Sequence, residues 1–239
     1  ARRVGGNGGG VPGARRPSGR RRPCVGGADL VQHESTGPSL GGEQQAEDAA
    51  LGVLGARCPG VPLLVVGNSL GAQLAAGLAS RERVAGLLAV SMGSGYVGHL
   101  VPGFRTQARL FLHLVAPAAT ALCGYFPGER LGVVGDLPRG VMQQWRRWCL
   151  SPEYLLSAEG RHALYRSAAF PLVSLYAPDD EMLGEAGARL MFDAHGNARR
   201  FELLRAVDGQ RVGHLGVFKQ RHRTTHWPQL VQHLRSFTP

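Results

Sequence analysis

The sequence predicts an α/β protein: a mostly parallel sheet layered with helices, with a helical cap inserted between two of its strands. Three observations predict it. Short continuous apolar runs bounded by turn residues, such as Leu63-Leu64-Val65-Val66 and Val84–Val90, have the length and composition of strands buried on both faces. Stretches with helical apolar spacing alternate with these runs. The middle of the chain, 92–169, breaks the alternation; it is helical in pattern and carries most of the aromatic residues.

The elements follow in order. Residues 1–28 are rich in Gly, Arg and Pro and have almost no apolar periodicity. Nothing there offsets the entropy of ordering, so residues 1–42 are read as disordered or unrelated sequence, with one short strand candidate at Ala28–Val31. The folded domain is expected over 43–239. A helix over 43–57 places Ala46, Ala49, Ala50, Leu51, Val53 and Leu54 on one side and stops at Pro59-Gly60. A strand at 63–66, a helix at 71–80 and a strand at 84–90 come next. The insert shows helical spacing near 104–123, 139–149 and 158–168. A strand at 171–176, a helix at 182–194, a strand at 200–206 and a closing helix at 225–237 complete the domain.

Length and charge bound the function. The 239 residues suit one domain with an inserted cap. The net charge is +10, but residues 1–28 hold seven arginines and no acid, and from residue 41 onward 20 basic face 15 acidic residues. Lys219 is the only lysine, isoleucine is absent and glycine reaches 35, which marks compositional bias rather than a binding patch. No specific nucleic-acid partner is therefore expected. No run of 18 apolar residues suggests a membrane span, and no apolar stretch follows the N-terminal arginines, so a cytoplasmic location is expected. Cys24, Cys58, Cys123 and Cys149 are scattered, as free thiols of a reducing compartment would be.

One segment carries chemistry. Leu64-Val65-Val66-Gly67-Asn68-Ser69-Leu70-Gly71-Ala72-Gln73-Leu74 reads as strand, sharp turn and helix, with G-x-S-x-G at Gly67, Ser69 and Gly71. Such a turn strains the backbone at Ser69 and lifts its hydroxyl to the carboxyl edge of the sheet. A side chain at 67 or 71 is expected to collide with neighbouring backbone. A serine hydroxyl needs a base, and the base an orienting acid. The acid is expected after a later strand, at Asp180 with Asp179 as the alternative; the competing role for either is N-capping of the 182–194 helix. The base is expected after the last strand, at His214 between Gly213 and Leu215-Gly216. His195 lies ahead of that strand, and His99, His113 and His162 lie in the insert. His222 and His226 have a metal-ligand spacing, but no acidic third ligand is near and they read as surface residues.

The run Val65–Leu74 resembles the nucleophile elbow of the α/β-hydrolase superfamily. Ser94-Gly95-Tyr96, Gly135–Pro138, Gln144–Cys149, Asp179–Met182 and Gly213–Phe218 are similar to a bacterial branch of predicted α/β-hydrolases near the serine aminopeptidases and esterases. The resemblance covers roughly 45–239. It implies a triad of Ser69, Asp180 and His214, one oxyanion-hole N–H from Leu70, and a helical cap at 92–169. It also implies two N-terminal strands and a His-Gly loop that residues 1–42 do not display, so the N-terminal strands are missing or degenerate.

The expected function is hydrolysis of an ester or related acyl bond of a small apolar substrate, with no cofactor and no metal. Two alternatives stand beside it: acyl transfer by the same triad, and an inactive or truncated hydrolase fold.

Overall fold

The computed structural model describes residues 41–238. The expected N-terminal disorder and the candidate strand Ala28–Val31 lie outside the described residues.

Among the described residues, four strands form one sheet: β1 (Leu63–Asn68), β2 (Val84–Val90), β3 (Leu172–Tyr176) and β4 (Ala198–Leu203). They lie in the order β1-β2-β3-β4, and every pair is parallel. Parallel neighbours require crossover connections, and helices supply them. Helix α1 (Gly41–Arg57) precedes β1, and α2 (Leu70–Leu74) follows it. Between β2 and β3 come α3 (Pro102–Leu110), α4 (Ala116–Cys123), α5 (Gly128–Leu131), α6 (Arg139–Cys149), α7 (Leu155–Ala158) and α8 (His162–Arg166). A π-helical turn at Phe111–Val115 joins α3 to α4, just ahead of Pro117, which has no N–H to donate. Helix α9 (Glu185–Asp193) links β3 to β4, and α10 (Trp227–Ser236) closes the chain. No helix among the described residues is long and apolar enough to cross a membrane.

The core has two sides because the central strands are covered on both. Alternate residues of β2 and β3 pack in opposite directions: Leu87, Ala89 and Leu172 join Leu74, Trp148 and Tyr154 on one side. Leu88, Val90, Val173 and Leu175 meet Val217 and Leu230 on the other. The expectation of two buried faces holds for these strands and fails for β1. It is an edge of the described sheet, and Val66 is 47 % exposed.

Two predicted helices are shortened by groups from elsewhere in the chain. The 71–80 helix ends early as a 3-10 turn at Ala75–Gly77. Asp48 of α1 accepts the backbone N–H groups of Ala79 and Ser80 at 2.8 and 2.9 Å and the Ser80 hydroxyl at 2.6 Å, ending the helix by competition. The 182–194 helix starts only at Glu185, because residues 182–184 bond instead to the segment at 99–101: Val101 N–H donates to Met182 O at 3.0 Å and Gly184 N–H to His99 O at 3.0 Å.

The aromatic residues of the insert divide between the main core, which holds Trp148, Tyr154 and Tyr165, and a small cluster of Ala116, Phe126 and Met142. Phe111 meets Phe126 edge-on at 5.5 Å, and Trp148 meets Tyr154 likewise at 5.7 Å. Cys123 and Cys149 are free thiols as expected.

Candidate active site

All four strands point the same way, so their carboxyl ends share one edge. Ser69 directly follows β1, Asp180 follows β3 by four residues, and His214 lies beyond β4. Open parallel sheets bind ligands at this edge.

At Ser69 the backbone adopts φ 48° and ψ −116°, a strained conformation for a residue with a side chain. The neighbours hold it there. Ser69 N–H donates to Val90 O at 2.9 Å, and its own carbonyl accepts Gln73 N–H at 3.2 Å, which starts α2. A Cβ at Gly67 would lie 2.6 Å from Ala72 Cα, so only glycine permits the strand and helix to approach this closely. Gly71 departs from expectation: among the described residues, a Cβ there would meet only Glu47 Oε1, at an ordinary 3.6 Å.

The structure brings Asp180 and His214 together. His214 Nδ1 lies 2.7 Å from Asp180 Oδ2, and both side chains are buried. The other Asp180 oxygen accepts the N–H groups of Met182 and Leu183 at 2.8 and 2.9 Å, which fixes the carboxylate from behind. Asp179 turns away from the imidazole and accepts the N–H groups of Val212 and Gly213. Neither aspartate caps a helix, since Gly184 occupies the N-cap of α9. Leu70, the expected oxyanion donor, is the first residue of α2 and directly follows Ser69.

Asn68, between Gly67 and Ser69, ties the two halves of the site. Its Nδ2 donates to Val90 O at 3.2 Å and reaches His214 O at 3.5 Å. Sequence reasoning missed this contact; the amide at the second motif position was its only local signal.

Other histidines among the described residues have partners of their own. His222 and His226 are buried rather than on the surface, and they bond each other through Nδ1 atoms 3.1 Å apart. Arg221 Nε donates to His222 Nε2 and His226 Nε2 donates to Arg205 O, which leaves His222 Nδ1 as the donor to His226 Nδ1. Burial, the His226 ring and the Arg221 charge hold His222 below its ordinary pKa. His195 is buried against Phe170, and burial lowers its pKa to about 4.

The architecture matches known structures. Paleococcus ferrophilus monoacylglycerol lipase aligns with a TM-score of 0.51 at 13 % identity, over 87 % of this chain and 78 % of its own. A soluble variant of monoglyceride lipase from Saccharomyces cerevisiae aligns at 0.54 and 14 % identity, over 82 % of this chain and 68 % of its own. Est816, described as an N-acyl homoserine lactone degrading enzyme, aligns at 0.50 and 18 % identity, over 82 % and 75 %. No family model and no curated protein matches the sequence. The chain therefore has the α/β-hydrolase fold, the class that its parallel sheet, crossover helices and strained Ser69 turn define.

Proposed function

We propose that the protein is a serine hydrolase that cleaves a carboxylic ester through Ser69, His214 and Asp180. The observation that carries the reading is the buried 2.7 Å contact between His214 Nδ1 and Asp180 Oδ2, at the same sheet edge as Ser69. A carboxylate on Nδ1 selects the tautomer whose Nε2 is free to accept a proton.

In this reading Ser69 Oγ attacks the ester carbonyl carbon while His214 Nε2 takes the hydroxyl proton. The carbonyl oxygen becomes an oxyanion that accepts a hydrogen bond from Leu70 N–H. Collapse breaks the C–O bond, and the alkoxide leaves as an alcohol with the proton from His214. Water then attacks the acyl-enzyme, again giving its proton to His214, and the acid departs as Ser69 regains its hydroxyl. Two lipases among the proteins of similar fold fit an ester substrate. The acyl group is read as small and apolar because the apolar core that holds Trp148 and Tyr154 of the insert extends to Leu70 and Ala72 beside Ser69. The helical region between β2 and β3 is the proposed cap.

A fluorophosphonate probe tests the reading. Labelling is expected on Ser69, together with hydrolysis of p-nitrophenyl butyrate that the Ser69→Ala variant lacks. Folded protein that stays unlabelled at Ser69 would refute it.

A further inference from the structure

The acidic turn after β3 engages residues 212–214 at four side-chain atoms, only one of which belongs to Asp180. We propose that Asp179, assisted by Glu181, is the positioning residue for His214; this rests on the serine-hydrolase reading above. Asp179 Oδ2 accepts Val212 N–H at 2.9 Å, and Asp179 Oδ1 accepts Gly213 N–H at 2.8 Å. Glu181 Oε2 accepts His214 N–H at 3.2 Å. Three consecutive backbone donors are thus held by the carboxylates on either side of Asp180, while Asp180 itself holds the ring. The arrangement depends on Gly213, whose φ of 62° turns successive N–H groups toward one anionic face. A Cβ there would stand 2.8 Å from Glu181 Oε2. Arg211 completes the clamp from the other side, donating through Nη2 to the Asp179 carbonyl at 2.8 Å.

His214 sits on no regular element; Leu215 is exposed immediately after it, and the next 3-10 turn begins at Gly216. Charge-assisted hydrogen bonds to the loop backbone therefore set where the imidazole stands. A displacement of about 1 Å in such a group costs on the order of 100-fold in rate.

The test compares the full chain with Asp179→Ala, Asp179→Asn, Arg211→Ala and Ser69→Ala, using p-nitrophenyl butyrate turnover and the downfield proton resonance of His214 Nδ1–H. Asp179→Ala is expected to lower kcat by roughly 10- to 100-fold and to shift or abolish the resonance, with KM within about threefold and an unchanged circular dichroism spectrum. Asp179→Asn keeps one acceptor and turns an NH₂ against the other donor, so its loss is intermediate; it decides the matter if the alanine variant does not fold. Arg211→Ala removes the hydrogen bond to the Asp179 carbonyl and the guanidinium 3.9 Å from Asp179 Oδ2, so a loss smaller than that of Asp179→Ala, with the same shift of the resonance, is expected. A folded Asp179 variant with parental kcat and resonance overturns the positioning role. A parent chain that shows the resonance but neither turns over ester nor labels at Ser69 overturns the hydrolase reading, and the resonance of the Asp179 variants then decides the positioning role alone.

Discussion

His214 Nδ1 stands 2.7 Å from Asp180 Oδ2 across 34 residues of chain, and the Asp180 side chain is fully shielded from solvent. Asparagine at 180 can still accept the N–H groups of Met182 and Leu183 through its one oxygen, but it then offers an NH₂ to the imidazole and selects the wrong tautomer. Asp180→Asn is expected to lower kcat about 10⁴-fold with little change in fold. Ester turnover alongside circular dichroism checks this.

Gly67 is the point where β1 and α2 come closest. Gly67→Ala places a methyl group 2.6 Å from Ala72 Cα, within backbone that cannot step aside without moving α2. The expected cost is about 3 kcal/mol, at the upper end for overpacking. Urea denaturation reads it as a lower midpoint, and fluorophosphonate labelling should slow because the same shift moves Ser69.

Asp48 joins α1 to the end of the α2 crossover through three hydrogen bonds. Asp48→Ala leaves the Ala79 and Ser80 donors without their anion, and a loss of about 2 kcal/mol is expected. The contact lies away from the carboxyl edge of the sheet, so kcat should remain near the parent value while the melting temperature falls.

His195 gives the protein an acid-sensitive component. Burial lowers its pKa from 6.5 to about 4 in the folded state, so the unfolded chain binds the proton more readily in between. Its neutral ring costs nothing above pH 6.5; as pH falls toward 4 the unfolded state is favoured by up to ~3 kcal/mol. His195→Asn retains an acceptor for Asn197 N–H, the partner of Nδ1, but cannot titrate. Its melting temperature should therefore fall less than that of the parent between pH 7 and pH 4.5. Parallel pH profiles for the two proteins would contradict the assignment.

Much of the architecture was legible because it is written locally. The bounds of β2 were read from one apolar run, and α6 from its spacing alone. Where the reading missed, a distant group had intervened: Asp48 cut short the helix after Ser69, and the 99–101 segment drew residues 182–184 out of α9. His222 and His226 read as surface residues because each is polar and its neighbours are polar; only the folded chain buries them against one another. The Asn68 contact to His214 joins residues 146 apart and has no counterpart in spacing.

The sequence by itself determined the elbow. Gly67, Ser69 and the apolar run before them prescribe a strained turn through backbone sterics that act over a few residues. It also determined that an acid after β3 and a histidine after β4 would reach the same sheet edge, because parallel strands end together. Tertiary structure alone shows which of Asp179 and Asp180 meets the imidazole. The two are adjacent, chemically identical and equally placed after the strand. The turn closed by Asp180 N–H on Ala177 O sends one carboxylate to the imidazole and the other to the backbone of the loop that carries it.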